Sequence, residues 1–123
     1  MDFIDRVRAP FNVNHVAQAA GVAALGDEAH LARSRALVLE ERPFLAAGLA
    51  DLGATVVPSQ GNFILADFPG KPGKQLFEDL LREGVVVRPM GGYGFPSAQR
   101  ITVGLRPENE KCLAALRKVL AAS

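Results

Sequence analysis

Arg88 and Arg100 are the side chains best placed to act on a charged ligand. Arg88 ends the run Val85-Val86-Val87, and Arg100 begins the largely apolar segment Ile101-Thr102-Val103. An arginine beside buried strand residues must reach solvent or meet an anion, because an unpaired buried charge is very costly. Its planar guanidinium donates two parallel hydrogen bonds, which suits carboxylate and phosphate. An internal Asp or Glu, or an outward turn of the side chain, meets the same requirement, so the residue types leave both roles open. Tyr93, in the glycine-rich stretch Gly91-Gly92-Tyr93-Gly94-Phe95-Pro96, either lines a pocket or anchors its loop.

Other chemistries lack their parts. No Gly-x-Gly-x-x-Gly joins a strand to a helix, no phosphate loop of the Gly-Lys-Ser/Thr type is present, and the Gly91 to Gly94 run has the wrong spacing for either. His15 and His30 are isolated and Cys112 has no partner, so metal-ligand spacing is missing. Neither histidine lies near a Gly-x-Ser-x-Gly elbow. Both are expected to be surface or helix-packing residues, and Cys112 an inert core residue. Arg33, Arg35, Glu40, Glu41, Glu78, Asp79, Arg82, Glu110, Lys111 and Lys118 read as solvated helix faces.

Fourteen basic and 13 acidic residues leave a net charge of +1, interspersed along the chain, so no field favours nucleic acid or an anionic membrane. At 123 residues, 49% of them apolar, the chain suits one domain with a packed core. A single cysteine permits no intrachain disulfide and fits a reducing compartment. No stretch reaches transmembrane length and the first residues lack a secretory pattern, so a cytoplasmic location is expected.

These arginines need strands to hold them, and the hydrophobic period supplies candidates. Asn14 caps a predicted helix from His15 to Leu25 with Val16, Ala19, Ala20 and Ala23 or Ala24 on one stripe, and Gly26 stops it. Asp27 caps a second helix carrying Leu31, Val38, Leu45, Leu49 and Leu52 up to Gly53, with a kink or break expected at Pro43. Thr55 to Val57 and Asn62 to Phe68 read as strands, the latter apolar enough to be covered on both faces. Pro69 to Gly73 is a turn-rich loop, too short to separate domains. A third helix over Lys74 to Glu83 buries Leu76, Phe77, Leu80 and Leu81. Val85 to Val87 and Arg100 to Val103 are two more strands, and a helix from Pro107 to about Leu120 buries Cys112, Leu113, Leu116 and Leu120. The fold class expected is α+β, a small sheet with its helices mainly on one face.

The segments Arg6-Val7-Arg8-Ala9-Pro10-Phe11-Asn12-Val13-Asn14, Gln60-Gly61-Asn62-Phe63, Val87-Arg88-Pro89-Met90 with Gly92-Tyr93-Gly94, and Arg100-Ile101-Thr102-Val103-Gly104 resemble histidinol-phosphate aminotransferases, of the fold-type I pyridoxal-phosphate family. The resemblance runs in order through essentially the whole chain, but only to the family's C-terminal part. It implies that residues 1–123 are a single small domain of aminotransferase type, the large cofactor-binding domain being absent. That larger domain would supply the lysine that bonds to pyridoxal phosphate. Lys71, Lys74, Lys111 and Lys118 lie in a turn or on helix faces, outside the expected Ser-Lys-type context. The resemblance thus implies no catalytic, cofactor-binding or metal-binding residue here, no cofactor bound to this chain, and no activity of the chain alone.

Carried over residue by residue, Arg100 matches the arginine that binds the substrate α-carboxylate. Arg88 matches the one that helps bind the phosphate of histidinol phosphate, with Asn62 and Tyr93 shaping the pocket. The full-length enzyme would be a homodimer moving an amino group between glutamate and imidazole acetol phosphate in histidine biosynthesis. A small domain of another aminotransferase, for aromatic or aliphatic amino acids, and a stand-alone anion-binding module are the alternatives.

Overall fold

The computed structural model describes Phe3, Arg6 and residues 13–122. Of the Arg6–Asn14 segment only Arg6, Val13 and Asn14 fall among them, so most of that motif lies outside the described residues. The chain divides into two units, residues 1–33 and 34–123. In the first unit helix α1 spans His15–Leu25, and the Asn14 Oδ1 accepts the Ala17 N–H at 2.9 Å as its cap. The stripe read from Val16 to Ala24 is not covered: no residue of α1 is buried. Helix α2, Glu28–Asp51, is capped by Asp27, whose Oδ1 accepts the His30 N–H at 2.9 Å.

α2 runs unbroken through Pro43, so the break allowed for there does not occur. The proline lies on the exposed side of the helix, where the Leu39 carbonyl it deprives of a donor can meet water, while Glu41, Leu45 and Leu49 on the opposite side are buried. Four antiparallel strands follow in the spatial order β1-β2-β4-β3: β1 Thr55–Val57, β2 Phe63–Asp67, β3 Arg88–Pro89 and β4 Ala98–Thr102. Helix α3, Gly73–Arg82, connects β2 to β3, and helix α4, Arg106–Ala121, closes the chain.

Leu45 and Leu49 of α2, Leu76 and Leu80 of α3, and Leu113 and Leu116 of α4 share one core with Ile64, Ala66 and Ile101 of the sheet. The helices therefore cover one face, as expected for an α+β sandwich. β2 is not covered on both faces: Ile64 and Ala66 are buried, whereas Phe63 is 42% exposed and Leu65 and Asp67 are half-buried. Two leucines assigned to buried stripes are also outside the core, Leu31 at 68% and Leu81 at 48% exposure.

The Val85–Val87 strand does not form. The Gly84 N–H donates to Leu81 at 3.0 Å and the Val85 N–H to Leu80 at 2.9 Å, closing α3 with Gly84 at φ +72°. That pattern needs a left-handed residue, which glycine adopts without a Cβ clash, and it removes Val85 from any ladder. Pairing begins only at Arg88 with Arg100. Val87 still reaches the core, while Val86 is 77% exposed.

Glu41 is not a solvated residue of a helix face; it is 3% exposed. Its Oε1 accepts the Arg106 Nε–H at 2.9 Å and its Oε2 accepts Asn109 Nδ2 at 2.9 Å. Asn109 also bonds both polar groups of the Gly104 backbone, so one carboxylate joins α2 to the turn between β4 and α4. Arg106 lies 3.6 Å from the Phe44 ring centroid, over its face. Breaking a buried polar cluster leaves donors unsatisfied at about 1–3 kcal/mol each. Glu41→Ala is therefore expected to lower the unfolding free energy of the chain by about 2 kcal/mol in urea denaturation followed by circular dichroism, against less than about 0.5 kcal/mol for Glu40→Ala.

Candidate functional site

Strand register decides where the two arginines go. Val57 pairs with Leu65, Leu65 with Arg100, and Arg100 with Arg88, so these four residues form one row across all four strands. Directly opposed residues share a face. The next row, Val56, Ala66, Gln99 and Pro89, faces the helices, which puts the arginine row on the uncovered side. Arg100 is half-buried at the centre of β4 rather than at its start, and Arg88 is exposed at the start of β3 rather than at the end of a valine strand. The polar residue Gln99 hides the beginning of β4 from a reading by hydropathy. It is fully buried, and its Nε2 donates to the Gly73 carbonyl at 2.6 Å.

The hairpin joining β3 to β4 is pinned beneath the same face. Met90 N–H donates to Ala98 at 3.0 Å, Gly91–Tyr93 make a 3₁₀ turn, and Gly73 N–H donates to Pro96 at 2.8 Å. A Cβ on Gly73 would stand 2.7 Å from the Pro96 carbonyl oxygen, so only glycine lets α3 begin against this hairpin. The turn returns Tyr93 to Arg88. Arg88 Nη2 donates to the tyrosine hydroxyl at 3.0 Å, and its guanidinium carbon is 5.6 Å from the ring centroid. Arg100 has its own ring, with its guanidinium carbon 5.2 Å from the Phe63 centroid. Both distances lie within the range of cation–π attraction, roughly 6 Å.

Neither arginine forms an ion pair with a carboxylate among the described residues. Asp67, on the same side of β2, instead accepts the Ser97 hydroxyl at 2.5 Å. Like charges directly opposite on neighbouring strands destabilise a sheet by roughly 0.2–1 kcal/mol. An anion bound by a guanidinium fork offsets that repulsion and gains charge-assisted hydrogen bonds.

Asn62 stands apart from this group. Its carbonyl accepts the Val103 N–H at 2.8 Å, extending the β2–β4 ladder, and its side chain makes no hydrogen bond to Arg88, Arg100 or Tyr93. The turn before it is held by Arg42, which donates to the Gly61 carbonyl at 3.1 Å, and by the Ser59 hydroxyl, which donates to Phe63 at 2.7 Å. Phe63 was not singled out by its residue type. Period-two alternation from Arg100 through the β2 register is the signal that finds it.

Elsewhere, a cleft of about 380 Å³ separates Val85–Val87 from Ile101 and Thr102 where the ladder fails to form, with Cys112 in its wall. Burial pushes the Cys112 thiol from its ordinary 9.0 up to about 11, which suits an inert core residue rather than a nucleophile. Among the described residues no three potential metal ligands come together, and no helix is long and apolar enough to cross a membrane.

Solved structures of known proteins share this fold of a four-stranded antiparallel sheet with helices on one side. The family model for aminotransferase class I and II matches residues 1–116, and the chain belongs to that family. It is 75% identical over 122 residues to the histidinol-phosphate aminotransferase of Anaeromyxobacter sp. (strain Fw109-5), covering 99% of this chain and 34% of that protein. Histidinol-phosphate aminotransferase 2 of Pseudomonas fluorescens (strain Pf0-1) is 52% identical over 120 residues, covering 98% of this chain and 32% of its own length. Among solved structures, the histidinol-phosphate aminotransferase of Clostridium acetobutylicum matches with a TM-score of 0.79 at 26% identity, over 98% of this chain and 37% of that one. The Sinorhizobium meliloti enzyme in complex with pyridoxal-5′-phosphate matches with a TM-score of 0.73 at 25% identity, over 98% and 34%. The chain spans about a third of the length of the curated relatives it matches.

Two outcomes follow from this geometry. Inorganic phosphate at about ten times its dissociation constant raises the unfolding free energy of the chain by about 1.4 kcal/mol. An Arg88→Met, Arg100→Met double variant gains nothing, as read by thermal melting with and without phosphate at constant ionic strength. For Cys112, the unfolded thiol ionises first as pH rises past 9.0, so the stability linked to this group is intact below pH 9 and is lost as pH climbs toward about 11. Melting curves of wild type and Cys112→Ala across that window converge if the thiol is the cause.

Proposed function

We propose that residues 1–123 form the C-terminal, substrate-binding part of a longer aminotransferase that moves an amino group between glutamate and imidazole acetol phosphate, in histidine biosynthesis. The observation that carries this reading is the direct opposition of Arg88 and Arg100 on the uncovered face, each beside an aromatic ring and neither ion-paired within the described residues. The identity to enzymes named for histidinol phosphate supports the choice of substrate.

The two half-reaction substrates differ where they need to be gripped. Glutamate carries an α-carboxylate at the position where histidinol phosphate carries a phosphorylated hydroxymethyl group. Arg100 binds either anion through its fork, and Arg88 adds donors that the phosphate dianion can use. Tyr93 holds Arg88 toward the site, and Phe63 does the same for Arg100. Asn62, exposed in the turn before β2, stands apart from this grip. Fixing the anion in this way orients the amino group for transfer.

Pyridoxal phosphate is the cofactor of the full-length enzyme, and these residues do not make its site. Lys118 pairs with Glu83 at 2.7 Å and Lys111 donates to the Gly84 carbonyl at 3.2 Å. Lys71 and Lys74 lie in the turn before α3 and in its first turn. Lys74, Lys111 and Lys118 are exposed and Lys71 is half-buried in its turn, whereas a lysine that bonds a cofactor is activated by desolvation or a neighbouring cation. The lysine and the phosphate cradle therefore belong to the remainder of the polypeptide. This chain alone has no transaminase activity, and the complete enzyme is a cytoplasmic homodimer.

Kinetics of the full-length enzyme test the assignment. Loss of a bidentate charged contact costs about 3 kcal/mol, so Arg100→Ala is expected to reduce kcat/KM about a hundredfold for glutamate and for histidinol phosphate alike. Arg88→Ala is expected to lower kcat/KM for histidinol phosphate roughly tenfold and for glutamate less than about threefold. Unchanged kcat/KM for glutamate in Arg100→Ala sinks the reading.

A further inference from the structure

The inner row of the sheet holds one residue that an apolar side chain would replace at less cost. Gln99 of β4 stands between Ala66 and Pro89 in the register, faces the helices and is fully buried. Its Nε2 donates to the Gly73 carbonyl at 2.6 Å, but its Oε1 has no hydrogen-bond partner among the described residues. A buried carbonyl oxygen without a donor is unfavourable, and a hydrocarbon side chain of similar size avoids that penalty. What the amide provides instead is a relay. Gly73 accepts from Gln99 and, through its own N–H, donates to the Pro96 carbonyl at 2.8 Å. A Cβ on Gly73 would lie 2.7 Å from the Pro96 oxygen and 3.2 Å from the Gln99 nitrogen, so the three residues meet at close quarters. Gln99 thereby fixes the first residue of α3, and that residue fixes the hairpin between β3 and β4. Inside the hairpin the Tyr93 and Phe95 N–H groups both donate to the Met90 carbonyl, at 2.9 and 3.3 Å. Tyr93 is 62% exposed, so this backbone frame, not core packing, determines where its hydroxyl meets Arg88.

We propose that Gln99 is a positioning residue for phosphate recognition, setting the Arg88–Tyr93 pair through Gly73 and the β3–β4 hairpin. This rests on the reading of Arg88 as a ligand of the substrate phosphate. Gln99 touches no substrate itself, because its side chain lies on the opposite side of β4 from Arg100. Two features separate this role from core filling. The one hydrogen bond its side chain makes among the described residues goes to the residue that pins the hairpin. The two arginines also differ in how they are held. Arg100 is paired on both sides, with β2 and with β3, whereas Arg88 begins a two-residue strand paired only with β4. Loosening the hairpin therefore displaces Arg88 and Tyr93 while Arg100 stays in place. Phosphate then loses donors that a carboxylate on Arg100 does not use.

Gln99→Leu and Gln99→Met, both close to glutamine in volume, remove the amide without adding a polar group. The chain has one tyrosine and no tryptophan, so the tyrosine band in near-ultraviolet circular dichroism of the 123-residue chain reads Tyr93 alone. Both variants are expected to keep the far-ultraviolet spectrum and the melting temperature while losing most of that band. In the full-length enzyme each raises KM for histidinol phosphate about fivefold, and changes kcat and the KM for glutamate less than about twofold. Combined with Arg88→Ala, Gln99→Leu adds no further loss, because the two act on one contact. A tyrosine band unchanged in both variants overturns the proposal. So does a fall in melting temperature in both, or an equal rise of KM for the two substrates, since core filling alone accounts for either. Losses that add in the double variant overturn it as well. If Arg88→Ala leaves the kinetics with histidinol phosphate unchanged, the functional reading fails and the phosphate role with it. The tyrosine band by itself then decides whether Gln99 holds the hairpin.

Discussion

Two arginines stand directly opposite in the register of adjacent antiparallel strands, Arg88 on β3 and Arg100 on β4. This like-charge opposition is locally unfavourable, and neither residue is neutralised by a described carboxylate. It persists because the other side of the same strands leaves no freedom. Ile101 and Gln99 of β4 alternate with Arg100 and are locked in the core, so Arg100 can reach the helical side only if the whole strand slips. The core thus bears the cost of holding two cations together.

The chain's polar contacts serve that same register. Gln99 reaches the start of α3 from the inner row, and Gly73 admits the β3–β4 hairpin at a distance that no side chain would allow. On the far side, Glu41 binds Arg106 and Asn109, which fixes the turn that follows β4. β4 is therefore tied at both ends to helices that pack on one face. Among the described residues the open face is tied more lightly, by an aromatic ring for each arginine, the Tyr93 hydroxyl for Arg88 and the Ser97 hydroxyl for Asp67. The strands that carry the two arginines are thus fixed from the helical side, and fixing donors in advance is how a binding site gains affinity.

Much of this was legible in the residues. Hydrophobic period, caps and glycine stops located the helices to within a residue or two, and the two longer strands were found from their apolar runs. What sequence could not supply was pairing. The apolar run in β2 suggested burial on both faces, because a run alone does not reveal that Phe63 and Leu65 look away from the helices. Val85–Val87 had strong strand propensity, yet the helix-ending pattern at Gly84 claimed the Val85 N–H first. Pro43 looked like a break, but local propensity yields when one side of a helix is anchored and the proline meets solvent. Glu41 looked like surface because its partners, Arg106 and Asn109, are 65 and 68 residues away in sequence. For the site, Arg88 and Arg100 stood out by position, whereas Phe63 emerges only once the register is known.

The remaining misfits between sequence and structure are not scattered. In residues 34–123 local preference, pattern and packing agree across the helical side of the sheet, and the buried charge is partnered. Agreement fails at the arginine row on the open face and at the buried Gln99 Oε1, which has no hydrogen-bond partner among the described residues. A sequence that specifies a fold this consistently elsewhere departs from consistency where function or a missing neighbour compensates. The arginine row lacks negative charge among the described residues. An anion bound there would answer that deficit through charge-assisted hydrogen bonds. In the proposed reading that anion is the substrate of a longer aminotransferase of which this chain is one part.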